Sequence, residues 1–337
     1  MITKPIPYGR QHITDEDIQC VIDALKSDYL TQGPKIKEFE EAFASYVGCK
    51  YAIAVNNATA ALHLAATALD VNPGDKVIVT PLTFAASANC IRYRGGEVVF
   101  CDVEEDTYLM DIKKLSRLLS QSPKGTYKGI VLVDFAGYPA NLEAFRQLAD
   151  EYGLWIIEDA CHAPGGYFID SKGEKQLCGN GNFADVSVFS FHPVKHIATG
   201  EGGMATTNCK ELYEKLCLYR THGITKNPAL LHENHGGWYY EMQELGYNYR
   251  ITDFQAALGI SQLKRADMGL ARRQEIARRY REGLSDLKGV KLPFVSDQVF
   301  HAYHLFIIQV EDRLGLYDYL HKSNIYAQVH YVPLHLT

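Results

Sequence analysis

The residues best suited to chemistry surround one lysine, in the segment VFSFHPVKHIATGEGG at residues 188–203. An apolar run predicts a strand that brings Ser190 to its end, a proline then turns the chain, and Lys195 follows in a glycine-rich loop. Small and apolar neighbours disfavour a charged amine, which lowers its pKa and makes it a nucleophile. We therefore predict that Lys195 is a nucleophile and that Ser190 helps to bind a phosphate.

A second segment, WIIEDACH at residues 155–162, ends an apolar run in two acidic residues. A carboxylate at the end of a strand suits the protonated nitrogen of a pyridine-type cofactor, because the pair keeps the ring an effective electron acceptor. Asp159 is the candidate for this role. His162 follows three residues later and is a candidate for contact with the same ring.

Two further segments have polar or aromatic residues at predicted strand ends. Asn56-Asn57-Ala58-Thr59 precedes an alanine-rich helix, whose free N–H groups would suit a phosphate, although a simple helix cap also explains it. Thr80-Pro-Leu-Thr-Phe84 provides an aromatic ring that either stacks on a flat cofactor or belongs to the core. The four segments together describe a site for one phosphorylated, aromatic cofactor.

Two pairs of side chains also have spacings that occur in metal sites. His192 and His196 are four residues apart, but Pro193 between them disrupts a regular helical face. Asp159 and His162 are three residues apart, without a third ligand at a convincing spacing. We therefore predict no metal site, and the roles of His192 and His196 stay open.

Alternating strands and helices are predicted to hold these segments in place. Apolar runs predict strands at 52–55, 76–79, 97–101, 129–133, 154–157, 186–191 and 203–206. Amphipathic stretches predict helices, among them 59–69, 115–119 and 142–152. This alternation indicates an α/β fold with a mostly parallel sheet and helices on both faces. Ligands of such sheets bind at the carboxyl ends of the strands, where the four segments lie.

A second, smaller unit is predicted after residue 250. A helix at 16–27 precedes the alternating part, and a loop rich in glycine, histidine and aromatic residues follows it at 227–249. Beyond lie a predicted charged helix at about 252–284, a strand at 300–310, a helix at 314–322 and a strand at 327–331. We predict a large α/β domain at residues 1–250 and a small α+β domain at residues 251–337.

The composition indicates an ordinary folded protein. Of the 337 residues, 47% are hydrophobic and 22% are charged, which is enough to form a core. The formal net charge of −6 argues against sequence-independent nucleic-acid binding, which needs a basic face. Eight cysteines without a C-x-x-C pair, no signal-like start and no apolar run long enough for a membrane span predict a cytoplasmic protein.

Five motifs, in order along the chain, resemble those of the DegT/DnrJ/EryC1/StrS sugar aminotransferases. They are NNATAALHLA, TPLTFAASAN, EDACHAPGG, FSFHPVKHIATGEGG and GYNYRITDFQAALG, and the similarity begins at about Pro7. The resemblance implies the type I (aspartate aminotransferase) fold and pyridoxal 5′-phosphate as the cofactor. It also implies that Lys195 forms a Schiff base with the cofactor and that Asp159 pairs with the pyridinium nitrogen.

The same resemblance implies further cofactor and substrate contacts. The residues implied around the cofactor are Phe84 on the ring, His162 near its hydroxyl, and Asn57, Ala58, Ser190 and Asn248 at the phosphate. Those implied for the substrate are Tyr8, Asp28, Tyr29, Leu30, Thr31, Ala58, Ser190, Asn248, Gln328, Val329, His330 and Tyr331. Arg250 is a further candidate for a phosphate contact. Because Asn248 is implied to reach the neighbouring subunit's cofactor, a homodimer is expected.

The segments YGRQHI, SDYLTQGP and AQVHYVPLH are similar to those of family members that act in pseudaminic acid biosynthesis. They imply amino transfer from L-glutamate to C4 of UDP-4-keto-6-deoxy-N-acetyl-β-L-altrosamine, with Lys195 as general acid and base. Sugars of the UDP-bacillosamine or GDP-perosamine type stay open, because these motifs do not encode stereochemistry. A dehydratase or a non-catalytic pyridoxal-phosphate-binding homologue is disfavoured by the intact lysine. Family members usually continue beyond QVHYVPLHL, so we expect a truncated second domain.

Overall fold

Apolar runs of branched side chains form the central strands in the computed structural model, which describes residues 4–337. The strands are, in chain order, β1 (Tyr51–Val55), β2 (Lys76–Val79), β3 (Glu97–Phe100), β4 (Gly129–Val133), β5 (Trp155–Asp159), β6 (Tyr167–Ile169), β7 (Lys175–Leu177), β8 (Val186–Ser190), β9 (Gly203–Thr207), β10 (Ile224–Thr225), β11 (Glu241–Met242), β12 (Val290–Lys291), β13 (Val299–Phe300) and β14 (Gln309–Val310). Strands β4 and β8 are buried along their whole length, as expected for strands that are covered on both faces.

Seven of these strands form one sheet, in the order β1-β9-β8-β5-β4-β2-β3. The pairs from β8 to β3 are parallel, whereas β9 is antiparallel to both β1 and β8. The prediction of a mostly parallel sheet is therefore confirmed. Asp159 at the end of β5 lies opposite Val133 of β4 and Val188 of β8, so these strands deliver their last residues to one edge.

Ten helices among the described residues surround the sheets. They are α1 (Asp15–Leu25), α2 (Pro34–Val47), α3 (Ala58–Ala68), α4 (Ala86–Tyr93), α5 (Ile112–Ser120), α6 (Leu142–Tyr152), α7 (Lys210–Arg220), α8 (Asp253–Leu263), α9 (Ala266–Leu284) and α10 (Arg313–Lys322). Short 3-10 turns occupy Phe135–Gly137 and Leu334–Leu336. Within residues 4–337, none of the helices combines the length and the apolar character needed to cross a bilayer.

Alternate residues of the strands contribute to separate cores on the two faces of the sheet. Val131 and Ile157 pack with apolar residues of α3, α4 and α7, whereas Ile130 and Ile156 pack with residues of α5 and α6. Another apolar cluster, around Phe43, joins α2 and α8 to the β9 side of the sheet. The predicted covering of both faces by helices is therefore confirmed.

The prediction of one long helix at 252–284 is wrong, because the chain forms two helices there. Helix α8 ends at Leu263, and α9 begins at Ala266. Arg265, between them, forms an ion pair with the fully buried Asp17 of α1. This pair joins residues that are distant in sequence, and apolar periodicity does not encode it. The division into domains at residues 1–250 and 251–337 stays a prediction.

The strands predicted near the end of the chain are also wrong. Only the two-residue strands β13 and β14 form near the predicted strand at 300–310, and no strand forms at 327–331. The backbone of residues 302–305 instead forms hydrogen bonds with the turn that follows β4. Ala302 N–H donates to the carbonyl of Gly137 at 2.7 Å, and Leu305 N–H donates to that of Ala136 at 3.1 Å. These bonds replace a strand ladder and fix this segment beside the large sheet.

Candidate active site

A cavity of about 800 Å³ opens at the sheet edge where β5 and β8 end. Small-molecule and cofactor sites span roughly 300–1,000 Å³, so this cavity has the size of such a site. The predicted site residues that line it are Tyr8, Asn57, Ala58, Phe84, Asp159, His162, Ser190, Lys195, His330 and Tyr331. The fold thus brings together residues from both ends of the chain and from four predicted strand ends.

Lys195 lies in a loop that is held at both ends. Phe191 N–H donates to the carbonyl of Gly202 at 2.9 Å, and Thr199 N–H donates to that of Phe191 at 2.9 Å. Burial lowers the pKa of the Lys195 amine, although nearby acidic groups act in the opposite direction. A lowered pKa increases the fraction of neutral amine, which is the form that attacks a carbonyl group and accepts a proton.

The carboxyl group of Asp159 is 6% exposed and firmly oriented. It accepts a hydrogen bond from the Ser87 hydroxyl at 2.7 Å and another from Cys161 N–H at 3.2 Å. None of the ion pairs within residues 4–337 includes Asp159. A buried carboxyl group that borders a cavity and makes no direct ion pair fits the protonated ring nitrogen of a pyridine-type cofactor.

The first turn of α3 forms a cradle for an anion. The Asn57 side chain caps the helix by accepting Ala60 N–H at 2.8 Å, while the first N–H groups of a helix lack intrahelical partners. A Cβ atom on Gly203 would lie 2.5 Å from the carbonyl carbon of Asn57 and 2.6 Å from the nitrogen of Ala58. The start of β9 therefore packs directly on the start of α3. Ser190, at the end of β8, lines the same cavity.

Phe84 and His162 provide surfaces for a flat ring. Phe84 is 62% exposed, which leaves its ring free to stack. Ala136 N–H donates to Nδ1 of His162 at 3.2 Å, so the neutral imidazole carries its proton on Nε2. Burial holds the pKa of His162 well below its usual range, and the Lys195 charge adds to this effect. The Nε2 atom lies 3.4 Å from the Tyr331 hydroxyl, at the cavity wall.

Residues from the two ends of the chain meet at the cavity wall. The Tyr8 hydroxyl lies 3.0 Å from Nε2 of His330, and the two rings stack at 5.0 Å. Ile6 forms a backbone bridge with Ile325 beside this pair. Burial raises the pKa of Tyr8 to about 12, so its hydroxyl stays protonated at neutral pH.

The single chain does not bring every predicted site residue to this cavity. The wall formed by residues 4–337 does not include Asp28, Tyr29, Leu30, Thr31, Asn248, Arg250, Gln328 or Val329. Tyr29 and Leu30 are more than half exposed, while Asn248 and Arg250 form backbone bridges to Thr221 and Val55. The roles assigned to these eight residues stay predictions, as do the roles of the predicted residues that line the cavity.

Sequence reasoning missed several residues at the site. Ser87 lies in the TFAASAN motif, four residues after Thr83 and 2.8 Å from its hydroxyl, so this spacing was a usable signal. The ring of His304 lies tilted against that of His162, with ring centroids 4.3 Å apart, and no motif marks it. The other unassigned wall residues are Thr59, Ala60, Leu62, His63, Ala86, Tyr93, Val133, Cys161, His192, Val194, Glu201 and Tyr249. His196 is not among the residues that line the cavity, and its Nε2 lies 2.9 Å from the Ala302 carbonyl oxygen.

Comparisons with known proteins agree with this geometry. The chain matches the DegT/DnrJ/EryC1/StrS aminotransferase family over residues 11–337. It is 40% identical to the UDP-4-amino-4,6-dideoxy-N-acetyl-beta-L-altrosamine transaminase of Campylobacter jejuni subsp. jejuni serotype O:23/36 (strain 81-176), over 97% of this chain and 84% of that protein.

Two solved structures show the same architecture. Spr1654 from Streptococcus pneumoniae, in its PLP form, has a TM-score of 0.88 and 31% identity, over 99% of this chain and 86% of that one. Helicobacter pylori PseC, an aminotransferase involved in the biosynthesis of pseudoaminic acid, has a TM-score of 0.86 and 32% identity, over 98% and 86% of the two chains.

The chain therefore belongs to the DegT/DnrJ/EryC1/StrS aminotransferase family. It is a pyridoxal-phosphate-dependent sugar aminotransferase, and the predicted fold, enzyme class and cofactor are confirmed. The cavity fits this cofactor, because the α3 cradle suits its phosphate and the buried, oriented carboxyl group of Asp159 suits its ring nitrogen.

Replacing Gly203 by alanine is expected to weaken cofactor binding. The added Cβ would displace the start of α3 and its free N–H groups, so the Kd for the cofactor should rise; the overpacking itself costs about 1–3 kcal/mol of folding stability. The measurement is titration of the cofactor-free protein with pyridoxal 5′-phosphate. Gly283→Ala, a helix position with nothing within 4 Å of its added Cβ, is the matched control. Equal affinity in both variants would contradict the prediction.

Proposed function

We propose that this enzyme transfers an amino group from L-glutamate to C4 of UDP-4-keto-6-deoxy-N-acetyl-β-L-altrosamine, in pseudaminic acid biosynthesis. The observation that carries the proposal is the 40% identity to a transaminase named for the aminated form of this sugar. PseC, named for the same pathway, supports it through similarity over nearly the whole chain. The segments YGRQHI, SDYLTQGP and AQVHYVPLH support it at the level of sequence.

In this proposal Lys195 moves the protons of the reaction. When bound, pyridoxal phosphate supplies an electron sink for the pair of electrons released at the donor's α-carbon. Nζ of Lys195 accepts the α-proton of L-glutamate and later delivers a proton to C4 of the sugar. The lowered pKa of Lys195 suits this exchange, because a general base works best with a pKa near the working pH.

The remaining pocket residues orient the reactants. Asp159, fixed by Ser87 and by Cys161 N–H, would hold a proton on the ring nitrogen of the cofactor. His162 would donate from Nε2 toward the ring hydroxyl, since its Nδ1 accepts Ala136 N–H. The first turn of α3 and Ser190 would bind the cofactor phosphate, Phe84 would stack on the ring, and Tyr8, His330 and Tyr331, which line the same cavity, would contact the sugar nucleotide.

We also propose that the enzyme is a cytoplasmic homodimer with composite sites. The partner's Asn248 and the partner's Arg250 would complete the phosphate contacts, and residues 28–31 would meet the substrate. Exposed apolar side chains in the segment that precedes Asn248 support this, since Trp238 is 71% and Leu245 78% exposed. Large apolar side chains that are exposed in one protomer are suited to burial in an interface.

The test follows the visible absorbance of the pyridoxal-phosphate-loaded protein. We expect L-glutamate to remove the absorbance of the loaded form and UDP-4-keto-6-deoxy-N-acetyl-β-L-altrosamine to restore it. Recovery only with the D-configured UDP-4-keto-sugar would replace the proposed substrate with one of the bacillosamine type, and recovery only with a GDP-linked keto-sugar with one of the perosamine type. No response to glutamate or other amino donors would contradict the proposal at its first step.

A further inference from the structure

Two buried carboxyl groups lie together beneath the cavity. Asp134 follows β4 and is fully buried, and Glu158, in β5, is 1% exposed. One oxygen of each, together with Sγ of Cys178, falls in a group of atoms that all lie within 4.8 Å of one another. None of the ion pairs within residues 4–337 includes either carboxyl group. Two like charges this close in a dry interior are strongly disfavoured.

Backbone donors around the pair leave one oxygen of each carboxyl group unpaired. Oδ1 of Asp134 accepts Ala140 N–H at 2.8 Å, and Oε2 of Glu158 accepts Gly179 N–H at 3.0 Å. The other oxygens, Oδ2 of Asp134 and Oε1 of Glu158, are buried and are not reached by a backbone N–H. The Ser187 hydroxyl and the Cys178 thiol are the side-chain donors beside the pair, and they lower the carboxyl pKa against the larger effect of burial. One proton held between the two carboxyl groups would satisfy both oxygens and remove one of the two charges.

We propose that Asp134 and Glu158 share one proton and that Asp134, kept neutral in this way, is a positioning residue for the cofactor pocket. Burial raises the pKa of Asp134 well above its usual range, and the nearby Glu158 raises it further. Burial also raises the pKa of Glu158. The other titratable groups that face the pair are the thiols of Cys178 and Cys161, whose pKa values burial raises as well.

Asp134 is connected to the pocket through the backbone. The Asp134 N–H donates to the carbonyl oxygen of Asp159 at 3.1 Å. The Asp134 side chain accepts Ala140 N–H, and this bond spans the Phe135–Gly137 turn. Ala136 in this turn has a φ of +61°, which a non-glycine residue adopts only when its surroundings hold it. The N–H of Ala136 sets the proton of His162 on Nε2. The positioning role rests on the proposed function, whereas the shared proton does not.

The shared proton is tested in the cofactor-free protein by infrared difference spectroscopy between wild type and Asp134→Asn at neutral pH. We expect the wild type to show the C=O band of a protonated carboxylic acid and the variant to lack it. Asparagine can accept Ala140 N–H and donate to Glu158 without titrating, so the fold should be retained. Absence of the band in the wild type would overturn the proposal. A melting temperature that Mg²⁺ or Zn²⁺ raises only in the wild type would overturn it in favour of a metal site.

The same variant has a defined effect on the pH dependence of stability. Because the folded-state pKa of Asp134 is raised, its contribution to stability is complete below the usual carboxyl pKa and is lost as pH rises toward the folded value. Asp134→Asn has no such titration, so its melting temperature should fall less than that of the wild type as pH rises from acidic to alkaline values. Parallel melting curves against pH would overturn the shared proton.

Comparison with Asp134→Ala tests the positioning role. Alanine loses both hydrogen bonds of the side chain, so we expect it to bind pyridoxal 5′-phosphate more weakly than Asp134→Asn and to lose turnover by up to roughly 10²-fold through misplacement of the site. If the two variants bind the cofactor equally well, the positioning role is overturned while the infrared result stands. Response of the wild type to L-glutamate separates this outcome from failure of the proposed function.

Discussion

Replacement of Lys195 by alanine is expected to abolish amino transfer while leaving a folded protein that still holds its cofactor. Loss of the proton-transferring amine alone costs roughly 10²–10⁴-fold in rate, and loss of covalent attachment adds to this. The α3 cradle, Asp159 and Phe84 remain, so pyridoxal phosphate should still bind, more weakly, in the same cavity. The measurement is the rate of the absorbance change after rapid mixing of the loaded protein with L-glutamate.

Two further variants test whether the loss of activity is specific to the amine of Lys195. Lys172→Ala removes a lysine from the exposed turn between β6 and β7 and should react like the wild type. Lys195→Arg keeps a positive charge that does not dissociate near neutral pH, and it should be as inactive as the alanine variant. Substantial turnover in either Lys195 variant would remove this residue from the reaction.

Replacement of Asp159 by asparagine is expected to cause the second large loss, about 10²–10³-fold in kcat, the size seen when one oriented electrostatic contact is removed. An amide has nearly the same shape: its oxygen can still accept Cys161 N–H and its NH2 group can donate to the Ser87 hydroxyl oxygen, but it lacks the charge that holds a proton on the ring nitrogen. The measurement is kcat with L-glutamate and the keto-sugar, at saturating pyridoxal phosphate.

Graded variants separate charge from packing at Asp159. Ser87→Ala removes one hydrogen bond to the carboxyl group and should cause a smaller loss than Asp159→Asn. Asp286→Asn, the same chemical change at an exposed position, should have no effect. A Ser87→Ala variant that loses as much activity as Asp159→Asn would indicate that orientation, rather than charge, decides the role of this carboxyl group.

The parts of the site that could be predicted from sequence share one physical basis. Asp159 and Ser190 end apolar runs, and parallel strands bring such ends together whatever the loops between them do. Lys195 follows Ser190 closely in sequence, so the prediction of the end of this strand also placed Lys195 near the site. His304 could not be found in this way, because it reaches His162 through backbone bonds between Ala302 and Gly137. Contacts of that kind depend on packing rather than on local pattern.

The elements that sequence failed to predict depend on similarly distant contacts. The break between α8 and α9 coincides with the buried ion pair of Asp17 and Arg265, from opposite parts of the chain. Residues 327–331 read as a strand from their alternation, yet none of the strands within residues 4–337 pairs with them, and His330 packs on Tyr8 instead. A strand needs a partner, and a single segment does not reveal whether one exists.

The pairing of Tyr8 with His330, 322 positions apart, has a consequence for biosynthesis. All strands of the large sheet precede residue 208, so this sheet can form while the ribosome is still adding the later residues. Tyr8 leaves the ribosome well before its partner His330, which is translated 322 positions later. A nascent chain therefore presents an open cavity to pyridoxal phosphate, and this part of its wall is completed only when the segment containing His330 is released.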